Sequence, residues 1–187
     1  VLWFDRWAES LAAKGRGIPA VDATMYGASM LGDDGRVWIA AAIVRSRHQA
    51  DPLRHLGRQL AWLGIESALI NGPAKRAVRR QRPAALIDHP HRLRRPGDSS
   101  FPSGHAASAA TMAMVLSEDG LAPVWWTLAL TIAASRVYVG VHHASDVAAG
   151  LAAGAAIGYA ARHLRLPLIE PPRPTPTPAP APAATPT

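Results

Sequence analysis

The chain contains no cysteine. That excludes disulfide frameworks, zinc–thiolate sites, iron–sulfur clusters and cysteine nucleophiles together. Acidic residues are scarce, 13 Asp and Glu against 20 Lys and Arg, so the net charge is +7 and anionic partners are favoured. Aromatic residues make up 6% of 187 residues. No aromatic platform accompanies the basic residues, and nucleic acid is therefore a poor partner. Neither strand-like alternation nor an internal repeat is present. Long apolar runs are missing too: a bilayer core of about 30 Å asks for about 20 apolar residues per spanning helix, and the low-charge stretches fall somewhat short of that. They run from Ser99 to Ser117, from Gly120 through Ser135 and past Arg136 to Val141, and from Val147 to Ala161. Val1 to Trp7 reads as an amphipathic turn, not as a cleavable signal.

What is present is helical in pattern and suits one domain by length. Leu2, Trp3, Trp7 and Leu11 recur at helical spacing until Gly15, Gly17 and Pro19 interrupt them. A second short helix is predicted around Ala20 to Leu31. The segment from Gly32 to Gly35, with Asp33 and Asp34, is a turn. Val37 to Val44 is uncharged, and a longer helix is predicted from about Leu56 to Ala74, carrying one acid, Glu66. The apolar stretches that follow are rich in Ala and Gly, the composition that lets helices approach closely, and Trp125 and Trp126 sit at the edge of one like an interfacial belt. From Pro167 to Thr187 the chain holds nine of its 17 prolines and reads as an extended, disordered tail.

Four spacings carry chemistry. Lys75 and Arg82 are seven apart; if the helix runs on through them, both cations project from one face before Pro83 ends it. Ser103 and Gly104 immediately precede an Ala-rich helix, where unsatisfied N–H groups and the helix dipole favour an anion, and His105 follows within the first turn as a proton donor. Arg136 closes the Gly120 stretch. His142 and Asp146 are four apart, so on a helix the carboxylate accepts from one ring nitrogen and leaves the other free to act as a nucleophile. Taken singly, each has an ordinary structural explanation: a solvated arginine, a helix cap, a surface hydrogen bond.

Together, in order, they spell KxxxxxxRP at Lys75 to Pro83, PSGH at Pro102 to His105 and SRxxxxxHxxxD at Ser135 to Asp146, over about 72 residues. The chain thereby resembles the type-2 phosphatidic acid phosphatase superfamily, which also includes bacterial acid phosphatases and vanadium haloperoxidases. The resemblance implies an all-α, membrane-embedded bundle of about five or six helices with the active site at one membrane face. It divides the chain into N-terminal amphipathic or partly inserted helices at 1–35, a catalytic bundle at 36–166 and the tail at 167–187. Lys75, Arg82 and Arg136 would bind the phosphoryl oxygens with Ser103 and Gly104. His142 would attack phosphorus, Asp146 would orient it and His105 would protonate the leaving oxygen.

No metal or other cofactor is implied, and a metal site built from His89, His91, His142, His143 and Asp146 is opposed by the three cations. The implied partners are a lipid phosphate substrate and the bilayer. The implied location is the cell membrane, in several passes, with the active site outside, although the basic loop from Lys75 to Arg95 alone argues for the cytoplasmic side. Polyprenyl diphosphates or a polyprenyl-phosphoryl sugar phosphate are the preferred substrates. Phosphatidylglycerolphosphate or phosphatidic acid, a soluble acid phosphatase or haloperoxidase, and a non-enzymatic basic membrane scaffold stand as alternatives. Nothing in the sequence specifies an oligomeric state.

Overall fold

The computed structural model describes residues 2–84, 97 and 99–164, and all regular structure among them is helical. The Pro-rich tail, His89, His91 and the basic residues from Arg92 to Arg95 lie outside the described residues. Seven helices of eleven residues or more are present among those described, against the five or six expected. The N-terminal third accounts for three: α1 (Trp3–Gly15), α2 (Pro19–Leu31) and α3 (Arg36–Ser46). Gly17, at φ +86°, supplies the left-handed turn that separates α1 from α2. Pro19 then opens α2, where its fixed φ and missing N–H cost nothing.

Helix α4 (Pro52–Leu69) starts on Asp51, whose carboxylate accepts from the Arg54 N–H at 3.2 Å. It continues into one wide π turn, Ile70–Ala74, and a final single turn, α5 (Lys75–Ala77). Here the structure departs from the expectation. The helix does not run on to Arg82; Val78 is extended, at φ −123° and ψ 101°. Pro73 within the wide turn lacks the N–H that the ladder needs. The chain beyond α5 finds other partners: the Ser100 N–H donates to the Arg80 carbonyl at 2.9 Å, the Ser100 hydroxyl to the Gln81 carbonyl at 3.1 Å, and the Arg80 N–H to Ser99 Oγ at 3.2 Å. Lys75 and Arg82 thus sit on different kinds of backbone.

The centre of the bundle is α6 (Gly104–Leu116), flanked by α7 (Ala122–Tyr138) and α8 (Ala144–His163). Nine of its residues are buried, among them Ala106, Ala107, Ala109, Ala110 and Ala113. The small residues serve close approach: a Cβ added to Gly150, Gly154 or Gly158 of α8 would stand 2.4 Å from the Ser103 carbonyl oxygen, 2.1 Å from that of Ala107 and 2.5 Å from Met114 Cβ. The Thr111 hydroxyl crosses the same seam to the Gly154 carbonyl at 2.9 Å. On the other side of α6, Met112 and Leu116 join Ala28, Trp38, Ala42 and Ile132 in the main apolar core. Trp125 and Trp126 pack against that core and are partly buried, so only part of each indole is available to an interface.

Among the described residues α8 is the one helix long and apolar enough to cross a membrane, and α6 is a shorter apolar helix. Large apolar side chains are nevertheless exposed on most helices, including Trp3, Trp7 and Leu11 on α1, Met30 and Leu31 on α2, Ile39 and Ile43 on α3, and Val124 and Leu130 on α7.

Candidate active site

A cavity of about 420 Å³ gathers groups from five parts of the chain: Gly32 and Asp34 from the turn before α3, Asn71 and Lys75 from the wide turn and α5, Arg82 from the chain beyond α5, Gly104 and His105 from the start of α6, and Arg136 and His142 from the end of α7 and the turn beyond it. Six of the eight residues singled out in the sequence therefore line one space. The other two stand just behind its wall.

Ser103 is fully buried; its hydroxyl accepts from the Ala106 N–H at 3.5 Å and caps α6. Its own N–H donates to the Asp146 carbonyl at 3.0 Å, which pins the first turn of α6 to the first turn of α8. That junction is tight, because it is Gly150 that lies over the Ser103 carbonyl. Gly104 opens α6 with Asn71 Oδ1 3.0 Å from where a Cβ would be, so a side chain there would push Asn71 aside.

His142 is not on a helix. α8 begins at Ala144 with His143 as its N-cap residue, so the four-residue spacing to Asp146 is bridged by a turn and not by a helical face. The expected His142–Asp146 hydrogen bond is replaced by a longer contact, 3.7 Å between Nδ1 and Oδ2. Nδ1 instead lies 2.7 Å from the Ser100 carbonyl oxygen. A carbonyl only accepts, so Nδ1 carries the hydrogen and Nε2 keeps its lone pair. Arg82 agrees: its Nη1, which only donates, is 3.2 Å from Nε2 and also donates to the Val141 carbonyl at 3.0 Å. The imidazole is 3% exposed. Burial pulls its pKa down to about 4, against the opposing pull of Asp146 and with help from the Arg82 and Arg136 cations. A neutral, singly oriented imidazole faces the cavity.

Asp146, fully buried, spends its oxygens on structure as well as on charge. Oδ2 accepts from the His143 N–H at 2.8 Å, which caps α8, and faces His143 Nδ1 at 3.3 Å; Oδ1 accepts from Arg80 Nη1 at 2.6 Å. Arg136 is 3% exposed, and its Nη1 donates to the Ser29 hydroxyl. Its Nε is buried and has no acceptor among the described residues. The Arg136 side chain lines the cavity, and a guanidinium there suits an anion. Beside it, His105 Nε2 meets Asp33 Oδ1 at 2.9 Å, the oxygen that Arg136 Nη1 approaches at 3.9 Å, and Gly32 makes room, since a Cβ there would stand 3.1 Å from His105 Cδ2.

Arg80, Asp33, Ser29 and Asn71 are site residues that the sequence motifs do not mark. Asp33 reads locally as a turn residue, and Arg80 as one of several arginines. Their partners lie 72 and 66 residues away, so no local pattern reports them.

A family model described as the PAP2 superfamily matches residues 57–169, more than half of the chain. The chain belongs to the PAP2 superfamily. Its PAP2 relatives include the decaprenylphosphoryl-5-phosphoribose phosphatase of Mycobacterium tuberculosis, 36% identical over 144 residues that span 75% of this chain and 78% of the relative. They also include the undecaprenyl-diphosphatase of Sulfolobus acidocaldarius, 37% identical over 57% of this chain and 53% of the relative. Among solved PAP2 folds, LpxE of Aquifex aeolicus superposes with a TM-score of 0.68 at 26% identity, covering 83% of this chain and 93% of that one. The transmembrane phosphatidylglycerolphosphate phosphatase of Bacillus subtilis superposes with a TM-score of 0.66 at 22% identity, over 85% and 83% of the two chains, a likeness of fold. The protein is thus a phosphatase of the PAP2 class, with the all-helical architecture of membrane PAP2 enzymes.

Proposed function

We propose that this PAP2 protein is an integral-membrane phosphatase that removes a terminal phosphate from a polyprenyl carrier lipid, either a polyprenyl-phosphoryl sugar phosphate or a polyprenyl diphosphate. The observation that carries the reading is the shared cavity, in which three cations and two imidazoles from separate motifs converge. The polyprenyl preference is supported by the decaprenylphosphoryl-5-phosphoribose phosphatase at 36% identity. The exposed apolar residues around the bundle support residence in a bilayer. The active-site face is assigned to the outside of the membrane, and helices α1 and α2 to partial insertion beside the catalytic bundle.

In the reaction, Lys75, Arg82 and Arg136 hold the phosphoryl oxygens, with the first-turn N–H groups of α6 beside Gly104; Ser103 keeps that turn in place. The Nε2 lone pair of His142, freed from the Arg82 Nη1 donor as that guanidinium turns to the phosphoryl oxygens, forms a bond to phosphorus as the bond to the leaving oxygen breaks. His105 enters as the imidazolium, with Nε2–H on the Asp33 carboxylate, and gives the Nδ1 proton to that oxygen, becoming neutral; burial makes the imidazolium a readier donor. The imidazole becomes cationic with Nδ1–H still on the Ser100 carbonyl and the Asp146 carboxylate 3.7 Å away as counter-charge. Water, losing a proton to His105, then breaks the phosphorus–nitrogen bond and frees orthophosphate. Positioning and electrostatic stabilisation account for most of the acceleration in such a transfer.

The test is phosphate release by detergent-purified protein against prenyl diphosphates, prenyl-phosphoryl sugar phosphates, phosphatidic acid and phosphatidylglycerolphosphate, with EDTA present. The wild type is expected to prefer the prenyl substrates and His142→Ala to be inactive. Near-normal release by His142→Ala would remove the mechanism, and a preference for phosphatidic acid would remove the substrate assignment.

A further inference from the structure

One cation outside the cavity ties the site to the first helix of the chain. Arg80 Nη1 donates to Asp146 Oδ1 at 2.6 Å and to the Ser145 hydroxyl oxygen at 2.7 Å, while Nη2 donates to Asp5 Oδ2 at 2.8 Å. Ser145 returns to the same carboxylate, giving its backbone N–H to Asp5 Oδ1 at 2.8 Å and its hydroxyl at 2.7 Å. The Leu2 N–H completes the set at 3.3 Å on Oδ2. Asp5 is 3% exposed and Asp146 fully buried. An otherwise amphipathic surface helix therefore buries a carboxylate with every oxygen engaged. A buried charge is retained at a desolvation cost that needs such partners.

The arithmetic of charge gives this arrangement a use. One guanidinium lies between two carboxylates, so the trio carries a net negative charge next to an imidazole that turns positive during the reaction. With Asp5 neutral, Arg80 and Asp146 would cancel, and His142 would face Arg82 and Arg136 with no net counter-charge behind it. The fork of Arg80 also decides geometry, since by taking Oδ1 it leaves Oδ2 as the oxygen turned toward His142.

We propose that Asp5 is a positioning residue of the phosphatase reaction, acting through Arg80 to hold Asp146 and to keep the trio negative while His142 carries the phosphoryl group. Asp5 lies outside the residues 57–169 that the family model matches, so the first helix contributes to the chemistry of the motifs. The role rests on the phosphohistidine reading above.

Asp5→Asn keeps the shape and removes the charge. Its kcat is expected to fall about tenfold or more while KM for the lipid phosphate stays within about twofold, because Asp5 does not line the phosphoryl cavity. Asp5→Glu is expected to recover part of the loss. Arg80→Lys is expected to lower kcat as well, and the double variant Asp5→Asn/Arg80→Lys to be no slower than the worse single variant, since both act along one chain of contacts. Competitive inhibition by inorganic phosphate reports the integrity of the cavity and is expected to be unchanged in Asp5→Asn. A kcat for Asp5→Asn within twofold of wild type, loss of phosphate inhibition together with activity, or multiplying losses in the double variant would each overturn the role. A wild-type chain inactive on all phosphate esters would remove the phosphatase reading and this role with it.

Discussion

The Nδ1 of His142 stands 2.7 Å from the Ser100 carbonyl oxygen, closer than it stands to the Asp146 carboxylate at 3.7 Å. A backbone acceptor, not the acid, selects the tautomer, and Asp146 is left to act through charge. The Ser100 carbonyl belongs to the loop that leads into PSGH, so the approach to the second motif orients the imidazole of the third, the proposed nucleophile.

This arrangement sets the pH response. Burial lowers the His142 pKa from its ordinary 6.5 to about 4, so the proposed nucleophile stays neutral well below the range in which a free histidine protonates. The acid limb of kcat/KM is expected near pH 4, and the limb is expected to vanish from its place in any variant that still turns over without an imidazole at 142. The same shift makes the folded state bind that proton less readily than the unfolded chain. The stability tied to it is complete above pH 6.5 and is lost as pH falls toward 4. A pH titration of initial rates checks the first point.

The three cavity cations are expected to act on the transition state. Lys75→Ala, Arg82→Ala and Arg136→Ala should each lower kcat by about 10² to 10³, or about 2.7–4 kcal/mol, as measured by single-turnover phosphate release. Arg136→Lys should recover little, since a point charge does not reproduce the planar fork of a guanidinium.

Leaving-group dependence isolates His105. Its Nε2 is held by Asp33 at 2.9 Å, and removal of a general acid matters most when the departing oxygen is a poor leaving group. His105→Ala and Asp33→Asn should therefore slow an alkyl phosphate by about 10² or more while slowing a nitrophenyl phosphate far less. Equal losses on both esters would show that His105 only shapes the cavity.

Gly154 tests the seam between α6 and α8. A methyl there meets the Ala107 carbonyl at 2.1 Å, backbone that cannot step aside without moving α6. Gly154→Ala is expected to cost about 1–3 kcal/mol of stability, read as a lower thermal midpoint in detergent. Gly150→Ala, which presses on the Ser103 carbonyl, should lose activity as well, because Ser103 anchors the first turn beneath the phosphoryl site.

Local chemistry alone specifies much of this protein. The helix starts at Pro19 and Ser103–Gly104 follow from a fixed φ angle and a cap, and the close α6–α8 seam from small residues spaced by four, whereas α4, expected from about Leu56, begins earlier, at Pro52 behind the Asp51 cap. The three motifs name the residues that share the cavity. What the tertiary structure alone decided is how they get there. Arg82 arrives on non-helical chain because the helix ends at Ala77 and the segment beyond it pairs with Ser99 and Ser100, Ser100 displaces Asp146 as the acceptor of His142, and Asp33 and Asp5 enter from helices and turns that look merely amphipathic. Caps and turns are settled by neighbours within a few residues, and sequence displays them. The partner of a buried charge is settled by which distant segment packing brings within about 3 Å, and that is a property of the whole fold.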